Sequence, residues 1–102
     1  MYGSPTGSKL VTADGSLIDL NTGEGVRIFN MHIIASGTAT PITTLRNGVN
    51  SSGTIYIKET GTASTGKTFD YGVNGKWFPS GCYVSQSPAD GTTNIEFRKD
   101  IS

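Results

Sequence analysis

Cys82 and His32, the one cysteine and the one histidine of this chain, are the residues whose types could carry nucleophilic chemistry. A thiol attacks as its thiolate, which needs a base to take the proton and a third group to orient that base. Cys82 lies in "WFPSGCYV", residues 77–84, and none of the local signatures of cysteine hydrolases surrounds it. It comes after a Pro-Ser-Gly turn and shares a strand face with Val84, and free cysteine is among the most often buried residue types. The expectation is a small apolar plug at the start of a strand. His32 stands between Met31 and Ile33, without a second histidine or paired cysteines to complete the three or four ligands of a tetrahedral metal site. It reads as a histidine satisfied within the core or an interface.

Two further patterns resemble sites. In "GTASTGKT", residues 61–68, Gly61, Gly66, Lys67 and Thr68 match a phosphate-binding loop letter for letter. The mechanism requires a helix whose amino terminus faces the phosphates, whereas the chain continues as "FDYGVNG", a strand and a turn. Nucleotide binding is therefore not expected. Tyr56, Tyr71, Trp77 and Tyr83 could stack on sugar rings or contact a neighbouring subunit, although ordinary packing is the simpler use of such rings. Asp14, Asp70 and Asp90 belong to turns or strand ends, and Asp19 precedes Leu20 without an acidic partner. No catalytic, cofactor-binding or metal-ligating set is expected.

Composition bounds what could position these residues. A chain of 102 residues makes one domain, which buries about 60–68% of the surface its unfolded form exposes. Only 34% of residues are apolar and 16% charged, with 14 Gly and much Thr, Ser and Asn. A core this thin makes a homo-oligomer the expectation. The net charge of +0 and pI near 6.5 give no electrostatic footprint for nucleic acid. No apolar run approaches the roughly 20 residues of a membrane helix, and "MYGSPTGSKL" has no basic region leading into an apolar stretch. A single cysteine makes no internal disulfide, which suits synthesis in a reducing cytoplasm.

Gly, Pro, Asn and Asp clusters recur at intervals of about 8–12 residues, marking turns between short runs of β-branched and aromatic types. Eight strands are predicted, at 8–12, 16–20, 26–35, 41–46, 54–59, 67–71, 81–86 and 93–98, with no helix longer than about one turn. Alternation places Ile33, Ile55, Ile57, Phe69, Val84, Ile95 and Phe97 in the core. In 26–35, Phe29, Met31, Ile33 and Ala35 form one apolar face, and the mixed other face suggests a strand covered on both sides. Eight such strands suit an antiparallel β-sandwich of jelly-roll type, with an immunoglobulin-like sandwich as the alternative. Residues 21–102 form that domain, and 1–20 read as an N-terminal arm or peripheral hairpin.

The stretch from "MHIIASG" to "WFPSGCYV", with its "LRNG" turn at 45–48 and "SGTIYI" strand at 52–57, resembles small all-β virion proteins of tailed bacteriophages. The likeness covers about residues 26–98 and brings no catalytic motif. It implies a non-enzymatic virion protein, most simply a capsid decoration or cement protein made in the host cytoplasm. Its partners would be its own copies, as a trimer, and the major capsid protein or other virion proteins, with no nucleic acid and no membrane. The alternative is a carbohydrate- or receptor-binding β-sandwich of a phage tail or other surface structure.

Overall fold

Every described strand of this chain pairs antiparallel with its neighbours. The computed structural model describes residues 6–34, 40–61, 66–87 and 92–101. Among them lie nine strands and no helix: β1 (Gly7–Val11), β2 (Gly15–Ser16), β3 (Glu24–Ile34), β4 (Ile42–Asn47) and β5 (Thr54–Thr60), then β6 (Lys67–Asp70), β7 (Lys76–Phe78), β8 (Cys82–Ser87) and β9 (Thr92–Ile101). Sheet A runs β1-β9-β3-β6, with β7 also pairing on β3, and sheet B runs β2-β8-β4-β5.

The pairs β1–β9, β2–β8, β3–β6 and β4–β5 nest like the two arms of one long hairpin whose tip is the turn at 48–53. Successive pairs fall in alternate sheets, which wraps the hairpin into a jelly roll rather than an immunoglobulin-like order. The first twenty residues contribute to both sheets: β1 closes the edge beside β9, and β2 closes the edge beside β8. The turns predicted around 35–39, 62–65 and 88–91, Ala35 at the end of its strand, and residues 1–5 of the arm lie outside the described residues.

The structure corrects the predicted elements in four places. The ninth strand, β7, is a three-residue run between the turns at 72–75 and 79–81, too short to show a period. The strand predicted at 16–20 shrinks to Gly15–Ser16, because Leu17 turns into the core while its N–H bonds the Cys82 carbonyl at 2.8 Å. In β3 the register against β9 jumps from Ile28↔Phe97 to Asn30↔Glu96, leaving Phe29 as a bulge. Val26 and Ile28 face inward before it, and Met31 and Ile33 after it, so the predicted single face of Phe29, Met31 and Ile33 is broken at Phe29, which is buried outside the core cluster. In β5 the register jumps from Leu45↔Ile57 to Arg46↔Ile55, with Tyr56 as the extra residue. Ile55 is thereby turned outward and is 45% exposed, contrary to its predicted place in the core.

The core between the sheets gathers Val26, Ile28, Met31 and Ile33 of β3, Ile95 and Phe97 of β9, and Phe78 of β7 against Leu45, Ile57, Cys82 and Val84 of sheet B. Phe69 packs against it from the edge. Val11 and Leu17 complete it from the first twenty residues. At one end the core holds a polar chain joining the sheets. The Thr93 hydroxyl donates to Gln86 Oε1 at 2.9 Å, so the Thr43 hydroxyl, 2.9 Å from Thr93 Oγ1, must donate to Thr93. Gln86 Nε2 in turn donates to the Val11 carbonyl at 3.0 Å.

Candidate functional site

Cys82 opens β8, where alternation turns Cys82, Val84 and Gln86 inward and Tyr83 and Ser85 outward. Its side chain is fully buried, and desolvation pushes the thiol up to about 12. His32 lies on the other sheet. His32 alternates with the inward Met31 and Ile33 and shares the outer face with Asn30 and Ile34, so of the core or interface positions expected for it the core one is not where it sits. Its Nδ1 is 2.7 Å from the Thr68 hydroxyl. Its ring packs so closely on Gly66 that a Cβ there would come within 2.7 Å of Nε2. The inner and outer faces of sheet A separate the two groups, so they do not form a nucleophile and base.

After Gly66 the chain enters β6, a strand, so Lys67 has no helix amino terminus beside it; residues 62–65 of the loop lie outside the described residues. The Lys67 ammonium sits 5.4 Å from the Phe69 ring centroid. Among the described residues no three His, Cys, Asp or Glu side chains gather to hold a metal.

The four aromatic candidates fall on three surfaces. Tyr56 and Tyr71 lie along the side where β5 faces β6 and β7. Tyr56 packs 5.2 Å from the Phe78 ring under the Lys76 ammonium, and the Tyr71 hydroxyl donates to Glu59 Oε2 at 3.2 Å. Burial, then the Glu59 charge, holds the Tyr71 phenol well above its ordinary range. Trp77 is on the outer face of sheet A, under the Arg27 guanidinium at 5.0 Å and against Gly25, where a Cβ would come within 2.6 Å of the indole. Tyr83 is on the outer face of sheet B between Arg46 and Ser16.

The broadest surfaces are those two outer faces, and they differ in how their polar groups are matched. On sheet A, Asn30 Nδ2 donates to Glu96 Oε1 at 2.5 Å, His32 meets Thr68, and Asp100 takes Arg98 at 3.5 Å and Arg27 at 3.9 Å. On sheet B, Arg46 Nη1 donates to the Gly53 carbonyl at 3.2 Å, and no described carboxylate pairs with Arg46 or Lys58. Beside Lys58 a shallow depression of about 400 Å³ is lined by Ile42, Thr44, Ser85 and Ser87, with Asp14 at its rim. Asp14 is already engaged, accepting the Gln86 N–H at 2.9 Å.

Sequence reasoning does not find these faces. Alternation marks Thr44, Arg46, Lys58, Tyr83 and Ser85 as outward on their own strands, but only the wrapped topology makes β4, β5 and β8 neighbours. No protein-family model, curated protein or solved structure matches the chain.

Proposed function

We propose that this chain is a non-enzymatic structural protein of a phage particle, a capsid decoration or cement protein that self-associates and bridges neighbouring capsid subunits. The observation that carries the reading is the jelly-roll wrap combined with the use of the reactive side chains inside it. The architecture recurs in viral capsid and lectin domains, which sets a class without fixing a function. Here Cys82 fills the core, His32 is held by Thr68, and two broad sheet faces stand open to a partner. Faces of that kind act by burying area and exchanging hydrogen bonds across a seam. The resemblance over residues 26–98 supplies the phage context.

The glycan-binding alternative draws less support, since Tyr56, Tyr71, Trp77 and Tyr83 are divided among three surfaces instead of forming one stacking platform. The test is quantitative mass spectrometry on washed particles of the phage that encodes the chain. The chain is expected in a fixed ratio to the major capsid protein. Its absence from the particles would overturn the proposal.

A further inference from the structure

The outer faces of the two sheets carry opposite uncompensated charge. On sheet A, Glu96 of β9 and Asp70 of β6 flank Asn30 of β3 in one row across the strands. Among the described residues neither has a lysine or arginine within ion-pair reach, because the arginines of that face, Arg27 and Arg98, meet Asp100 farther along. On sheet B, Arg46 of β4 and Lys58 of β5 lie in neighbouring rows with no described carboxylate within ion-pair distance, and Asp14, which lines the depression beside Lys58 and accepts the Gln86 N–H, leaves the face with an excess of positive charge. Both faces also leave apolar side chains in water: Leu10 and Ile34 on sheet A are 52% and 38% exposed, and Ile55 on sheet B is 45% exposed.

We propose that copies of this chain associate face to face, the outer face of sheet B on one copy docking onto the outer face of sheet A on the next. This rests on the self-association in the proposed function and names the surfaces that produce it. Pairing sheet B with sheet B sets Arg46 and Lys58 of two copies against each other, and pairing sheet A with sheet A opposes Glu96 and Asp70 in the same way. Like charges brought together at an interface disfavour the contact, so only the mixed pairing gains on both sides.

Edge-to-edge growth is obstructed on β1, β2 and β5. On β1, Lys9 lies on the inward side and its Nζ donates to the Leu17 carbonyl at 3.0 Å, β2 has two residues, and the bulge at Tyr56 interrupts the register of β5. The mixed contact is heterologous, and the outer faces of a sandwich look in nearly opposite directions. Copies therefore add as a row or a wide ring, and such a contact does not close at three.

The test is sedimentation velocity on the full chain, with circular dichroism to verify folding. Lys58→Glu and Glu96→Lys alter one face each at positions that are at most partly buried. Each variant alone is expected to associate about 100-fold more weakly than the unaltered chain. An equimolar mixture is expected to recover association, because one chain keeps an unaltered sheet A and the other an unaltered sheet B. Raising the salt concentration should weaken the unaltered assembly.

If the unaltered chain associates but Glu96→Lys does so equally well, or the mixture recovers no association, the face assignment is wrong while self-association stands. If the unaltered chain stays monomeric at its highest soluble concentration in low salt, the self-association on which the assignment rests falls with it.

Discussion

Ile55 and Ile57 have the same side chain, two positions apart on one strand, yet Ile57 is 8% exposed and Ile55 is 45% exposed. Ile57→Ala is therefore expected to cost about 2–5 kcal/mol in chemical denaturation, and Ile55→Ala less than about 0.5 kcal/mol. Equal losses would show that the bulge at Tyr56 is misplaced. Cys82 provides a test through pH, because burial raises its thiol from an ordinary 9.0 to about 12. Above the lower of these values an unfolded chain releases the thiol proton while the folded chain keeps it, so the unfolded state binds fewer protons and stability falls as pH rises. The contribution is intact below about pH 9 and declines through the interval up to about pH 12. One group supplies a slope of at most about 1.4 kcal/mol per pH unit. Tyr71, raised by burial and by Glu59, acts in the same direction at still higher pH. Replacing Cys82 with Ala should flatten the alkaline decline, and an unchanged slope would contradict the burial of the thiol.

The hydroxyl chain from Thr43 through Thr93 to Gln86 ties β4 and β8 of sheet B to β9 of sheet A at one end of the core. Thr93→Val keeps the shape but leaves the Thr43 hydroxyl without its acceptor and the Gln86 carbonyl without its donor. The expected loss is about 1–3 kcal/mol for each buried group so stranded, measured by urea unfolding. A loss near zero would mean that the two sheets are held by apolar packing alone. Such links show why strands are legible in the sequence while their partners are not. The period of two in Thr93 to Arg98 and the turn residues around each run identify β9, β4 and β8 without any tertiary information. A bulge is a one-residue irregularity set by pairing, so nothing local warns that Phe29 and Tyr56 reverse the phase of β3 and β5. For that reason strict alternation puts Ile55 inside and groups Phe29 with Met31 and Ile33 on one face, and the outer faces cannot be assembled from single strands. Cys82 is legible because its strand carries no bulge between it and Val84.

The nested pairing of β1–β9, β2–β8, β3–β6 and β4–β5 brings the segment before residue 20 and the end of the chain into one wrapped ribbon, so both ends contribute to the same small core. A domain of this size has a modest excess of stability, and burying sheet faces against neighbours adds to it by mass action. That is the physical sense in which a decoration protein and its lattice stabilise each other. In the proposed role this chain works by docking its faces within a phage particle. The most direct test is cryo-electron microscopy of the intact particle of the phage proposed to encode it. The expected map has this jelly roll at regular positions across capsid subunit boundaries, with the Arg46 and Lys58 face of sheet B buried in a contact. A fully occupied capsid map without the domain, or one in which both sheet faces stand open to solvent, would contradict that role.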